Sequence, residues 1–124
     1  MRLAIIGGGN MGGAILIALT KVKKISPKNI LLIENDEEKR TKLTKATGCK
    51  SKKEIDLSIC KYSILLIAVK PQAANSLMRL LSHLILPNQV IISVMAGISL
   101  RTISKGLGQK KIIRVMPNMP TLIS

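Results

Sequence analysis

Two kinds of apolar pattern alternate along this chain. Short, nearly unbroken aliphatic runs occur at residues 2–6 (RLAII), 29–33 (NILLI), 62–69 (YSILLIAV), 89–97 (QVIISVMAG) and 111–116 (KIIRVM). Runs of that length, closed by glycine, proline or other turn residues, predict strands covered on both faces. Between them apolar residues recur at helical spacing: Met11, Ala14, Ile15, Ala18, Leu19 and Val22, then Leu77, Leu80, Leu81 and Leu84, then Leu100, Ile103 and Leu107. Each set predicts one buried stripe of a helix.

Boundary residues sharpen these elements. Ser26-Pro27 ends the first helix. Asn35 with Glu38 three residues on predicts a capping box, opening a helix that runs through Leu43 to about Ala46 and stops at Gly48. A second box, Ser51 with Glu54, predicts a short helix carrying Ile55 and Ile59. Ser99 is the expected cap of the helix that Gly108 terminates, and Pro87 lies beyond the end of the one before it.

Strand and helix therefore alternate from end to end with short connections, which predicts βαβ units and a parallel, doubly wound sheet. No repeat or linker divides the 124 residues, so one domain, 1–124, is expected. The apolar content is almost wholly aliphatic, with neither Trp nor Phe and a single tyrosine, Tyr62.

Charge changes the picture less than its size suggests. There are 20 Lys and Arg against 6 Asp and Glu, a formal net charge of +14. Single-stranded nucleic acid is gripped by stacking on aromatics, which this chain lacks beyond Tyr62, and its lysines mark no single helix face. A solvated basic surface that attracts anionic ligands is the expectation. Cys49 and Cys60 fit no metal or redox spacing, so reduced thiols and no metal site are expected. His83, between leucines, is expected at a surface or half-buried helix position. The apolar N-terminus breaks after Ile6, too early for a secretory core, and no run approaches the length of a membrane span. The chain reads as cytoplasmic.

The chemistry concentrates where the first strand ends. Gly7, Gly9 and Gly12 in Gly7-Gly8-Gly9-Asn10-Met11-Gly12 occupy the fixed positions of G-x-G-x-x-G, after a predicted strand and before a predicted helix. In that setting the first glycine makes a tight turn, the second lets backbone approach a pyrophosphate, and the third lets helix pack on strand. Free N–H groups at the helix start then face the anion. Glu34 closes the second run, about 20 residues on, where a carboxylate accepts hydrogen bonds from ribose hydroxyls and repels a 2′-phosphate. This leans toward NADH over NADPH, with Lys39 and Arg40 a turn away to offset the charge. Three further corners, Val69-Lys70-Pro71, Met95-Ala96-Gly97 and Met116-Pro117-Asn118, fall at predicted C-terminal strand ends, where open α/β sheets bind ligands.

In this order, IIGGGNMGGAI, LLIAVKPQ, ISVMAGIS and IIRVMPNMP resemble the N-terminal half of pyrroline-5-carboxylate reductase, which makes proline by reducing a cyclic imine with NAD(P)H. The resemblance covers essentially the whole chain. It implies a Rossmann-like fold: α/β, doubly wound, mainly parallel, about six strands with helices on both faces. It places Gly7, Gly8, Gly9, Asn10, Met11 and Gly12 at the pyrophosphate, and Glu34 and Asn35 at the adenosine ribose. Val69, Lys70 and Pro71, joined by Ala96 and Gly97, would line the ribose and nicotinamide side, with Asn118 near the nicotinamide. Met119 stands where the family usually has threonine, and Met95, beside the cofactor position, where it usually has alanine. The family continues into a helical domain that builds the homo-oligomer and most of the imine pocket. This chain stops at Ser124. It is therefore expected to be monomeric and inactive alone, and no residue presents itself as the proton donor. A non-catalytic NAD(P)-binding module or an inactive truncated fragment stands as the alternative.

Overall fold

The structure, a computed structural model, describes residues 1–108 and 111–116. Its elements are β1 (Leu3–Ile6), α1 (Asn10–Lys21), β2 (Ile30–Ile33), α2 (Glu37–Thr47), β3 (Lys50–Lys52), β4 (Ile64–Ile67), α3 (Ala74–Leu81), β5 (Val90–Ser93), α4 (Leu100–Leu107) and β6 (Ile112–Arg114). Short 3-10 turns at Pro27–Asn29, Leu57–Lys61 and Pro71–Ala73 complete the described path.

The strands form one parallel sheet in the order β3-β2-β1-β4-β5-β6. The chain thus winds outward from β1 to one edge, returns to the other side of β1, and winds outward again. Ile6 stands opposite both Ile33 of β2 and Ile67 of β4, so the three strands end level. The doubly wound parallel sheet and its six strands are as expected.

Strand alternation sorts β1 onto two cores. Leu3 and Ile5 pack with Leu16 of α1 and Leu43 of α2, while Ala4 and Ile6 pack with Leu77 and Leu81 of α3 and Ile103 of α4. Ile5, Leu16, Leu81 and Ile103 are fully buried, each contributing on the order of 2 kcal/mol by removal from water.

Five expectations need correction. Leu80 of α3 and Leu100 of α4 are exposed, and the buried faces are Ala74, Leu77, Met78 and Leu81 in α3 and Ile103 and Leu107 in α4. The buried face of α1 is Gly12, Gly13 and Leu16, whereas Ala18 and Val22 are exposed. This helix is apolar on nearly every side, so periodicity left its orientation open, and the close contact at Gly12 described below sets it. The N-cap of α2 is Asp36, whose Oδ1 accepts from the Lys39 N–H at 3.0 Å, and not Asn35. No helix opens at Ser51: residues 50–52 are β3, an edge strand, and Asp56 caps the later 3-10 turn by accepting from the Ser58 N–H at 2.9 Å. Finally, the strands are shorter than the apolar runs, because Ala68 and Val69, and likewise Val94 to Gly97, form the turns that follow. Gly48 and Gly108 end their helices in the left-handed conformation, and Ser99 caps α4, as expected.

Cys49 is buried and Cys60 half-buried, both as free thiols, and His83 is exposed. Among the described residues no helix is long and apolar enough to cross a membrane, and no group of three or more His, Cys, Asp or Glu could hold a metal.

Candidate functional site

The topology reverses between β1 and β4, and beyond their C-terminal ends lies a cleft of about 730 Å³. Such a crevice at a switch point is where open α/β sheets take ligands. Six of the sequence-predicted residues line it: Gly7, Gly9, Glu34, Asn35, Val69 and Lys70.

The glycine loop is built around two backbone contacts. Gly7 adopts φ 104°, and its N–H donates to the Ile33 carbonyl at 2.9 Å. A Cβ there would lie 2.8 Å from the Ala68 carbonyl oxygen, so both conformation and space demand glycine. At Gly12 a Cβ would come within 1.9 Å of the Gly7 carbonyl oxygen. The first and third glycines therefore bring β1, α1 and the turn after β4 into backbone contact. Gly9 differs: a Cβ built there meets nothing within 4 Å, and the residue faces the cleft.

α1 starts at Asn10, which is exposed, with half-buried Met11 packed toward the α1–α2 core. No side chain caps the helix, and its first turn holds no acid. The structure thus leaves a bare helix N-terminus beside an open glycine, a cradle that a β-carbon would fill and a phosphate fits.

Glu34 follows β2, half-buried, with both carboxylate oxygens engaged. Oε1 accepts from the Gly8 N–H at 2.7 Å and Oε2 from the Asp36 N–H at 2.8 Å. Arg40 Nη1 donates to the Glu34 carbonyl at 2.8 Å. Gly8 is buried behind the loop, its missing Cβ space bounded by Leu43 and Glu34. Glu34 consequently ties the end of β2 to the glycine loop and to the start of α2.

The remaining predicted residues are less tightly gathered. Pro71 is exposed and opens the 3-10 turn leading into α3. Ala96 and Gly97 are exposed in the turn after β5, Gly97 at φ 74°, on the same edge of the sheet but outside the cleft lining. Arg114 Nε steadies that turn by donating to the Ile98 carbonyl at 2.8 Å. Met95, expected beside the cofactor, is instead buried in the core under α3 and α4. Asn118, with Pro117 and Met119, lies outside the described residues.

Sequence reasoning passed over Lys53, Glu54, Ile55, Ala73 and Leu80 as cleft-lining residues. The first three were hidden by reading Ser51 to Glu54 as a helix start. β3 pairs with Ile33 through Lys52, and the Glu34 N–H donates to the Lys52 carbonyl at 3.0 Å. The residues after Lys52 are thereby delivered to the cleft.

A family model described as NADP oxidoreductase, coenzyme F420-dependent, matches residues 2–97, which include every cleft-lining residue named above. The chain belongs to that family. Among the proteins similar to this NADP-oxidoreductase family member is the pyrroline-5-carboxylate reductase of Aquifex aeolicus. It is 36% identical over 120 residues, 96% of this chain and 43% of the relative. A solved pyrroline-5-carboxylate reductase from Coxiella burnetii shares the fold with a TM-score of 0.88 at 24% identity, over 98% of this chain and 46% of that one. The Plasmodium falciparum pyrroline carboxylate reductase, solved with NADP bound, gives a TM-score of 0.80 at 23% identity, over 99% and 44%. The chain thus spans less than half the length of the relatives it matches.

Proposed function

We propose that this chain is the NAD(P)H-binding part of a pyrroline-5-carboxylate reductase, an oxidoreductase that reduces 1-pyrroline-5-carboxylate to proline. The observation that carries it is the meeting of the glycine loop of β1 with the Val69-Lys70 turn of β4 in one cleft at the switch point. Similarity to such a reductase over 96% of the chain supports it.

The bound nicotinamide supplies the hydride. The chain's own residues hold and orient the dinucleotide: Gly7 to Gly12 and the N-terminus of α1 take the pyrophosphate, and Glu34 with Asn35 takes the adenosine ribose. Val69, Lys70 and Pro71, with Ala96, Gly97 and Asn118, frame the ribose and nicotinamide. Residues 1–124 constitute the dinucleotide domain in this scheme. The imine pocket, the proton donor and the surfaces for homo-oligomer formation belong to a further helical part, consistent with relatives more than twice as long. A cytoplasmic location accords with two free thiols.

Titration with NADH and NADPH, followed by fluorescence or calorimetry, tests the binding. Saturable binding of either supports it, and no binding of either at millimolar concentration overturns it. With pyrroline-5-carboxylate added, this chain alone is expected to show negligible turnover, because hydride transfer needs the imine held at near-attack distance.

A further inference from the structure

We propose that the end of the molecule opposite the cleft is a docking surface for an anionic phospholipid bilayer, which the lysines there attract and which exposed Val22 enters at headgroup depth. The proposal is independent of the dinucleotide reading of the cleft, and peripheral attachment of this kind needs no spanning helix.

The surface follows from the topology. Every strand pairing is parallel, so the strands all start at one end of the molecule and the helices return to that end to finish. The cleft is at the other end. All six acids of the chain accompany the cleft end: Glu34, Asp36, Glu37 and Glu38 follow β2, and Glu54 and Asp56 follow β3. They are interspersed there with Lys39, Lys52 and Lys53, as on an ordinary solvated surface of mixed sign. The strand-start end carries cations alone. Arg2, Lys28, Lys50, Lys61 and Lys111 stand at or just before the starts of β1, β2, β3, β4 and β6, and all five are exposed.

Helix polarity accounts for part of this charge. Lys21, Lys45 and Lys105 lie in the last turns of α1, α2 and α4, where a cation offsets the negative end of the helix dipole. One cation per helix end suffices for that, and the density here goes beyond it. Lys23 and Lys24 add two more directly after α1, and among the described residues none of these cations is in an ion pair.

The apolar component selects the partner. The turn that leaves α1 reads Lys21-Val22-Lys23-Lys24-Ile25, with Lys23 in the left-handed conformation at φ 56°. Val22, the C-cap of α1, is 60% exposed among these lysines, and Met1 beside Arg2 is 71% exposed. The phosphates of a nucleic-acid duplex would engage the cations and leave these aliphatic side chains in water. A bilayer surface takes charge at its headgroups and aliphatic groups at the acyl boundary. Single strands fit less still: Tyr62, the only aromatic ring, is buried with the Arg2 guanidinium 5.5 Å from its centroid, and offers no stacking face.

The test is sedimentation of the whole chain with vesicles of phosphatidylcholine alone and of equal parts phosphatidylcholine and phosphatidylserine, with duplex DNA titrated in parallel. Binding to the anionic vesicles, none to phosphatidylcholine, and release by salt are expected. One cation near an anionic surface is worth about fivefold in binding. Lys21→Gln, Lys23→Gln, Lys24→Gln and Lys28→Gln together should weaken vesicle binding by about a hundredfold or more. All four residues are exposed, so the urea midpoint should hold. Lys39→Gln, Lys42→Gln, Lys53→Gln and Arg101→Gln together remove the same charge from elsewhere on the surface and should cost no more than about threefold. Val22→Ser should weaken vesicle binding by about threefold and leave DNA binding unchanged. Failure to bind the anionic vesicles, or equal losses in the two quadruple variants, would overturn the docking surface. So would tighter binding to duplex DNA than to the vesicles with Val22→Ser affecting neither, which would mark a nucleic-acid surface.

Discussion

Gly8 and Glu34, 26 residues apart in the chain, are joined by a 2.7 Å hydrogen bond from the Gly8 N–H to Glu34 Oε1. The residue expected to face the ribose is thus also the brace of the loop expected to face the pyrophosphate. Replacing it touches two subsites at once. In Glu34→Ser the NADPH-to-NADH ratio should rise, since a negative charge leaves the ribose side. NADH affinity should fall by about tenfold, because the loop loses a hydrogen bond to a charged group. Paired titrations read both effects. A wild type that already strongly prefers NADPH would mean that Glu34 does not face the ribose.

Gly12 and Gly9 should respond oppositely to the same substitution. A Cβ at Gly12 meets the Gly7 carbonyl oxygen at 1.9 Å, so Gly12→Ala should cost about 3 kcal/mol or more of stability, since backbone must move. Gly9→Ala, built into open space, should change stability by less than about 0.5 kcal/mol and yet weaken dinucleotide binding. Urea denaturation with parallel NADH titration distinguishes the two.

Gln89 is a buried staple. Its Nε2 donates to the Ile59 carbonyl at 3.0 Å and the Tyr62 carbonyl at 2.6 Å, and its Oε1 accepts from the Leu86 N–H at 2.7 Å. Gln89→Leu preserves bulk and removes all three hydrogen bonds from a buried site, so a loss of about 2 kcal/mol is expected in chemical denaturation. Dinucleotide affinity should survive under native conditions, because the staple is remote from the cleft.

Asp56 governs an acid-side dependence. The Lys52 ammonium, then the Ser58 hydrogen bonds, lower its pKa from the ordinary 3.8 to about 2. The folded chain binds fewer protons than the unfolded chain between those values, so its contribution to stability is present above 3.8 and is lost as pH falls toward about 2. Asp56→Asn should flatten the pH dependence of the unfolding midpoint across that window. A slope equal to wild type would show that the Lys52–Asp56 pair contributes nothing.

The two thiols should separate in reactivity. Burial raises the Cys49 pKa above its ordinary value, so the thiolate that attacks alkylating agents is scarce there. Cys49 should label only as the chain unfolds, with half-buried Cys60 labelling first. Peptide mapping after brief iodoacetamide treatment reads the order.

What the sequence made legible follows from how many constraints each feature carries. β1, β2, β4 and β5 are aliphatic runs with few other uses, and Gly7 and Gly12 answer to backbone contacts that no other residue permits. β3 was illegible because Lys50-Ser51-Lys52 has nothing apolar to alternate; only its pairing with β2 makes it a strand. With β3 went Lys53 and its place on the cleft. The α2 cap reads as Asn35 from the box spacing, but it falls one residue later, at Asp36, whose N–H the Glu34 carboxylate accepts from. Met95 reads as a cofactor neighbour through the family resemblance; its burial in the core under α3 and α4 depends on packing across the sheet that no local pattern records.

The pairing of β4 with β1 has a bearing on how the chain folds. The first three strands lie side by side in sequence order and can associate locally, but the cleft does not exist until β4 crosses back to the centre. Residues as distant as Arg2 and Ser63, 61 apart, meet across this pairing, at the strand ends opposite the cleft, through a hydrogen bond. Closing a loop of that size is among the slow, late steps expected of a parallel sheet. A nucleotide that spans the β1–β4 seam therefore recognises only molecules that have completed this closure. Its binding would be a kinetic marker of finished folding, and its presence would hold the two halves of the sheet together against their least local contact.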